Sequence, residues 1–398
     1  MLRQIEESRA VAEAVAVCRP EVVAACPATP QSHIVEALEA KGRAGRLRGC
    51  QFLKAESGPA AMSMAIGAAA VGARAYTATA SEGLLYMSET LYTAAGLGLP
   101  VVMTVVNRAV DTPVNLWNDH SDAMAQRDAG WIQLYAETSQ EAIDLHIQAF
   151  RLAGELSAPV MICLDGFPLT QPYDRADIPA QAQVDAFLPA RHASPDRSAI
   201  AGARYLAHAR ESRALGLMPE LAAAFGKEFG RDSGGLVRGY RIEDAETVVV
   251  ALGSALGTIR ATVDELRGDG MRVGIVGITA FRPFPCQAVR DILGTDRRVR
   301  RIVVIERALG TGLGGIVSAD LRVALATGPA AGDQYGGPII STVIAGLGGQ
   351  PITRAALRNA LIDASAGALE PLSFLPSGSL PAGPEPGPYL APDPPEMR

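Results

Sequence analysis

The sequence predicts an α/β protein built from two doubly wound domains. Three observations carry that prediction. Short β-rich runs alternate with helical stretches over residues 1–170, the alternation breaks down over 171–244, and it resumes over 245–366. At 398 residues the chain is long enough for two medium domains, each burying its own core.

In the first domain, Val22-Val23-Ala24-Ala25, Ala75 to Thr79, Val101 to Val106 and Val160 to Leu164 read as strands. The helical stretches between them make a parallel sheet the natural arrangement. From Glu141 to Glu155, Ile143, Ile147 and Phe150 recur at i, i+4 and i+7, and Thr138 with Glu141 forms a capping box at the start of that helix. After Pro59 nearly every side chain is small (Ala60, Ala61, Ser63, Ala65, Gly67, Ala68, Ala69, Ala70), which predicts a helix packed closely on several sides. Residues 171–244 are rich in Pro, Ala, Asp and Arg, with one helical stretch near Glu220 to Phe229, and read as a linker region. The second alternation then runs through strands Thr247 to Ala251, Val273 to Val276, Arg301 to Glu306 and Ile339 to Val343, with helices from Ala255 to Leu266 and Cys286 to Leu293. Residues 367–398 read as a tail, whose prolines (Pro381, Pro384, Pro386, Pro388, Pro392, Pro394, Pro395) are incompatible with a helix or a central strand.

Composition narrows the function. The chain is 48% hydrophobic and 20% charged, on the apolar side for a protein that works alone, so partner surfaces are expected. A net charge of −6 provides no basic field for phosphate backbones, which excludes nucleic acid as an expected ligand. Cys18, Cys26, Cys50, Cys163 and Cys286 are scattered, without a C-x-x-C pair, so they read as reduced thiols and not as ligands for zinc or an iron-sulfur cluster. The five histidines have no metal-ligand spacing. The N-terminus lacks the pattern of a secretory signal, and the longest apolar run, Gly58 to Gly72, is too short to span a bilayer. A soluble, cytoplasmic protein with no membrane span is the expectation.

Four segments able to do chemistry lie at the ends of predicted strands, where open α/β sheets bind ligands. They are Cys26 to Gln31, Lys54 to Pro59, Thr79 to Gly83, and Asn107-Arg108. Read without other knowledge, Glu56 is a surface carboxylate beside a helix N-terminus, Arg108 a structural ion-pair partner, and Thr29-Pro30 a helix start with Thr29 as N-cap. Gly310, Gly312 and Gly315 fit G-x-G-x-x-G after a strand, which leaves a nicotinamide oxidoreductase open as a competing reading. Glu306 to Leu309, however, separate that strand from the glycines. Asp119-His120-Ser121-Asp122 reads as a hydrogen-bonded loop rather than a metal site.

In order, P-x-T-P-Q, E-S at the head of an Ala-rich helix, T-A-T-A-S-E-G-L, V-V-M-T-V-V-N-R, W-N-D-H-S-D, R-D-A-G-W-I-Q and P-V-M-I-C-L-D-G-F resemble the alpha subunit of the 2-oxoacid:acceptor oxidoreductases, the pyruvate:ferredoxin oxidoreductase family that includes phenylglyoxylate dehydrogenase. The resemblance is dense over 1–170 and looser over 245–365. It implies a domain like the pyrimidine-binding domain of thiamine enzymes, followed by one like the transketolase C-terminal domain. It implies thiamine diphosphate as cofactor, with Glu56 as the catalytic, coenzyme-activating carboxylate, Ser81 and Glu82 beside it on the cofactor, and Thr29 and Arg108 on the substrate. An activating carboxyl is a chemical necessity for the coenzyme's pyrimidine, and an arginine fork suits a 2-oxoacid carboxylate.

The same resemblance implies partners: a beta-type subunit holding the diphosphate and its divalent cation, and gamma- or delta-type subunits carrying iron-sulfur clusters, with coenzyme A accepting the acyl group. In this chain Gly268-Asp269-Gly270 begins like the diphosphate motif of thiamine enzymes, but no Asn follows through Arg307, so Asp269 reads as a turn residue. Asn118 stands where the family has Gly before D-H, which leaves that loop's conformation open. Cys26 and Ala28 are smaller than the Tyr and Ile of many pyruvate enzymes, so the expected substrate is bulkier than pyruvate, an aryl acid such as phenylglyoxylate among the candidates. Pyruvate itself, and a non-catalytic structural subunit, are the alternatives.

Overall fold

A computed structural model describes residues 2–110, 114–188, 202–293, 298–327 and 337–375. The proline cluster of the expected tail lies outside the described residues. Two large sheets and a small ribbon organise the chain. The ribbon pairs β1 (Leu2–Glu6) with β8 (Tyr173–Asp177) antiparallel. The first large sheet has β12 (Ala280–Arg282), β6 (Ile132–Tyr135), β7 (Val160–Asp165), β5 (Val101–Asn107), β4 (Ala75–Thr79), β2 (Val22–Ala25) and β3 (Gln51–Lys54) in that spatial order. The second has β15 (Leu372–Leu375), β14 (Ile339–Ala345), β13 (Arg301–Glu306), β10 (Thr247–Leu252), β11 (Val273–Ile278) and β9 (Val237–Tyr240). Pairing is parallel except where β12 and β9 close an edge of each sheet.

The buried apolar strands form where expected: β5, β7, β10 and β11 are buried at every position. Short strands such as β3, at one edge, and β6, between β12 and β7, lack that composition and owe their conformation to the neighbours they pair with. The amphipathic helix spans Ser139–Leu156, and Thr138 Oγ1 accepts the Glu141 N–H at 3.1 Å as its N-cap. The reciprocal half of the capping box differs: the Glu141 carboxylate accepts the Glu137 N–H at 2.9 Å and pairs with Arg238.

Two expectations need correction. The described residues of 171–244 are more ordered than a linker, holding β8, β9, a helix at Gln181–Phe187 and a 27-residue helix at Ala203–Phe229. The long helix buries Ala214, Met218, Leu221 and Phe225 against Ser139–Leu156. Its apolar stripe is sparse and interrupted by Pro219, so periodicity showed only its end. The small-residue helix Gly58–Ala70 buries Ala61, Met62, Ala65 and Ala69, but Ser63, Met64 and Gly67 are exposed, as is Val71 at its end. One face is covered by this chain and the other is left open.

The two large sheets are fastened together. β12 follows β11 of the second sheet yet pairs with β6 of the first. One continuous core joins Trp131, Tyr135, Met161 and Cys163 to Val248, Val250, Ile278 and Phe281. At the polar edge of this seam Asp165, at the end of β7, accepts the Ser254 N–H at 2.6 Å, Asn118 Nδ2 at 2.8 Å and the His120 ring at 2.7 Å. Arg307 Nη1 stands 3.3 Å away. Burial works against the charge of Asp165, but Arg307, His120 and these hydrogen bonds hold its carboxyl far below the usual range. Gly253 permits the approach, since a Cβ there would lie 2.9 Å from Asp165 Oδ2.

A second polar chain is buried under the first sheet. His146 Nδ1 is 2.6 Å from the Ala142 carbonyl, which only accepts, so Nε2 takes the Thr104 hydroxyl at 2.6 Å, and Thr104 in turn takes the Tyr76 hydroxyl at 2.6 Å. Burial pushes His146 down to about 4 from 6.5. A histidine held neutral contributes stability fully above its unfolded pKa and loses it as pH falls through the folded one. We predict that the stability difference between wild type and His146→Gln shrinks by roughly 3 kcal/mol between pH 7 and pH 4. Denaturant unfolding of both proteins at the two pH values checks this, and a difference independent of pH would reject it. Comparison with the variant is needed because Glu7 and Asp122, raised by burial to about 7 and about 6, drive stability the opposite way.

Candidate active site

Strand order places the site. From β2 the chain goes to β3 on one side, and β4 then pairs on the other side of β2, so a crevice opens beyond the carboxyl ends of β2 and β4. Thr29 follows β2, Glu56 follows β3, Ser81 follows β4 and Arg108 follows β5. All four therefore come to one end of one sheet.

Arg108 is the centre. Its side chain is 11% exposed, its Nη1 donates to the Thr29 carbonyl at 2.7 Å, and its Nη2 pairs with the Glu82 carboxylate. Its Nε is buried without a hydrogen-bond partner. Thr29 is exposed, and the helix after it begins only at Ser32 with Gln31 in the cap position. The expected N-cap role is thus corrected: the Thr29 carbonyl serves Arg108, while Gln31 Nε2 ties the turn to the Cys26 carbonyl at 2.8 Å. Cys26 and Ala28 are half-buried beside it.

The turn after β4 is held by Asp122, a residue whose role composition did not reveal. Fully buried, it accepts the Ser81 N–H at 2.9 Å, the Arg108 N–H at 3.1 Å, Asn107 Nδ2 at 2.7 Å and the Ala123 N–H at 2.7 Å. Burial pushes its carboxyl up to about 6 against the pull of those donors. Ser81 has a positive φ of 48° and donates its hydroxyl to the Ala109 carbonyl at 2.7 Å, so its side chain shapes the turn. Glu82 then points at Arg108. Partial burial opposes its charge, yet local backbone and Ser81 donors together with Arg108 hold its carboxyl below the usual range.

Glu56 stands apart from this cluster, exposed at the head of the Gly58–Ala70 helix, with the Ser57 hydroxyl 3.3 Å from its carboxylate. Ser57 caps that helix by accepting the Ala60 N–H. Gly58 brings the two turns together, because a Cβ there would lie 2.8 Å from the Gly83 carbonyl. The carboxylate is exposed, as are Ser63, Met64 and Gly67 of the helix that follows. A carboxyl at that position suits a coenzyme pyrimidine, and the turn carrying Glu82 lies beside the same helix head, so the residues fit that half of the cofactor. For the diphosphate end, no group of three or more His, Cys, Asp or Glu side chains among the described residues could hold a metal ion. Asp269 caps the end of Ala255–Gly268 and pairs with Arg358 at 2.7 Å. Asp119 accepts both the N–H and the hydroxyl of Ser121, the hydrogen-bonded loop that was expected.

The glycine loop 310–315 does not offer a dinucleotide its usual cradle. The helix Ile316–Ala326 that follows has its N-terminal N–H groups taken by Glu306, which accepts from Ile316, Val317 and Ser318 at 2.8, 2.7 and 3.0 Å. Gly315 is required for this, as a Cβ there would sit 2.0 Å from Glu306 Oε1. The place a pyrophosphate would occupy is filled by the protein's own carboxylate.

Residues 13–217 match the family model described as pyruvate flavodoxin/ferredoxin oxidoreductase, thiamine diP-bdg, and residues 245–357 match pyruvate:ferredoxin oxidoreductase core domain II. Pyruvate synthase subunit PorA of Methanosarcina barkeri is 42% identical over 330 residues, covering 77% of this chain and 80% of that one. Ketoisovalerate oxidoreductase subunit VorA of Pyrococcus abyssi is 37% identical over 363 residues, covering 86% and 88%. In fold, the chain is similar to 2-oxoglutarate:ferredoxin oxidoreductase from Magnetococcus marinus, with a TM-score of 0.68 at 18% identity, covering 91% of this chain and 65% of that one. The α/β architecture with two such regions, the thiamine-diphosphate family model and the length of these matches agree. This chain belongs to the 2-oxoacid:ferredoxin oxidoreductase family, as an alpha-type subunit of an enzyme that works as a multi-subunit complex.

Proposed function

We propose that this chain supplies the coenzyme-activating and substrate-anchoring half of an active site for CoA-dependent oxidative decarboxylation of a 2-oxoacid. The observation that carries the reading is Arg108, held in place by Asp122 and the Thr29 carbonyl, at the same sheet end as the exposed Glu56. Thiamine diphosphate, when bound, supplies the nucleophilic carbon for decarboxylation. Glu56 holds a proton at the pyrimidine N1′, and Ser81 and Glu82 form the turn on the coenzyme's side of the crevice. Arg108 binds the 2-oxoacid carboxylate, and Thr29 orients it through its hydroxyl. A beta-type subunit holds the diphosphate and its cation against the open face of the helix Gly58–Ala70, and further subunits carry the iron-sulfur clusters that take the electrons. The complex is cytoplasmic, in keeping with the fact that no helix among the described residues is long and apolar enough to cross a membrane.

Cys26 and Ala28 leave room for a side chain larger than methyl. The relatives above are named for pyruvate and ketoisovalerate, both aliphatic acids, which favours a pyruvate-to-branched-chain range over phenylglyoxylate. The expected result, with the chain assembled with its partner subunits, is that kcat/KM for 2-oxoisovalerate at least matches that for pyruvate, since each of its two additional carbons contributes roughly 1–3 kcal/mol where the pocket has room for it. The isolated chain turns over neither. Pyruvate preferred over 2-oxoisovalerate would remove the argument from Cys26 and Ala28, and phenylglyoxylate preferred over both would restore the aryl acid.

A further inference from the structure

The guanidinium of Arg108 has two edges, and the structure uses them unequally. Nη1 is committed to the Thr29 carbonyl, Nη2 pairs with Glu82, and Nε, which shares the side edge with Nη2, is buried with no partner. Arg108 is fixed from behind, by Asp122 on its backbone N–H and by Thr29 on its tip. Glu82 sits on the solvent side, with its side chain 46% exposed against 11% for Arg108. The pair is therefore one-sided: the arginine is anchored and buried, whereas the carboxylate is singly bonded to it and about half exposed.

We infer that Glu82 is a displaceable internal counter-anion, occupying the Arg108 edge that the carboxylate of the incoming 2-oxoacid takes over. Glu82 touches one nitrogen of the side edge and leaves the other unmet. A substrate carboxylate lying along the same edge meets both Nε and Nη2, the bidentate arrangement that gives arginine–carboxylate pairs their strength. Satisfying the buried Nε adds to the exchange, because an unmet buried donor is costly. Glu82 loses one partly exposed contact and keeps its hydration. Its charge stays at the rim of the site, where it opposes a second negative charge on the substrate more than it opposes a single one. Glu82 thereby sets both the affinity for the acid and the preference for a monoanion.

The inference rests on the assignment of Arg108 to the substrate carboxylate, and the test separates the two. In the assembled complex, Glu82→Gln keeps the size and removes the charge. Because a partly exposed ion pair contributes about 0.2–1 kcal/mol, the apparent KM for pyruvate should fall roughly 1.4- to fivefold, with KM moving more than kcat. The inhibition constant of oxamate, an inert 2-oxoacid analogue, should fall in parallel. The gain should be larger for the dianionic 2-oxoglutarate than for pyruvate. An unchanged or higher KM for Glu82→Gln would overturn the inference and make Glu82 a positioning residue that steadies Arg108. If Arg108→Ala raises KM while Glu82→Gln does not lower it, only the counter-anion role is lost; if Arg108→Ala leaves KM unchanged, the substrate assignment itself is lost. Should Glu82→Gln fail to assemble, Glu82→Asp withdraws the charge by one methylene and is read the same way, a lower KM supporting the role and an unchanged or higher one rejecting it.

Discussion

Glu56→Gln, in the complex assembled with its partner subunits, is expected to lose turnover by about 10²-fold or more while retaining assembly, since a positioned acid–base group contributes roughly 10²–10⁴-fold. Glu56 is exposed, and the cap of the helix behind it belongs to Ser57, so the substitution removes a proton-holding group without touching a structural bond other than the weak one from the Ser57 hydroxyl. Glutamine keeps the shape but cannot exchange a proton with the pyrimidine N1′ over the working pH range. Two measurements check this: the steady-state rate of acceptor reduction, and the rate of hydrogen–deuterium exchange at the coenzyme C2 position. Both should fall together. Melting temperature should not move. Decarboxylation near the wild-type rate in an intact complex would return Glu56 to the status of a surface carboxylate.

Arg108→Ala is the second large effect. A hydrogen bond to a charged group contributes about 1.5–3 kcal/mol, so removing the guanidinium should lower kcat/KM by roughly ten- to a hundredfold, mostly through KM. Loss of Arg108 also leaves the Glu82 carboxylate uncompensated beside the substrate. Arg108→Lys should recover only part of the loss, because a point charge cannot present the two-nitrogen edge. The backbone bond from Arg108 to Asp122 survives both substitutions, so the turn after β4 should stay in place. An unchanged kcat/KM in Arg108→Ala would show that the arginine is an ion-pair partner of Glu82 and nothing more.

Glu56, Arg108 and Thr29 could be proposed from the sequence because each stands beyond the end of an apolar run, in an order that resembles a family pattern. Asp122 was legible only as part of a polar loop. Its four donors come from three separate stretches of chain, and no spacing in sequence announces that convergence. The same holds for Asp165, which gathers Asn118, His120, Ser254 and Arg307 from both sheets. Gly310 to Gly315 illustrate the reverse case, a motif against which the spacing Glu306 to Leu309 already counted. The motif fitted a dinucleotide site, and only the fold revealed that Glu306 fills the helix N-terminus.

Sequence by itself determined the α/β class, the buried strands and the identity of the groups that carry charge to the site, because hydrophobic periodicity and strand-end position are local properties of the chain. The tertiary structure decided what each group is bonded to: that Thr29 serves Arg108 through its carbonyl, that Glu82 faces Arg108, that the helix Ala203–Phe229 packs on the first domain, and that one side of the Gly58–Ala70 helix is left open. Hydrogen-bond partners and uncovered faces are set by which elements pack together, over sequence distances that no local pattern spans.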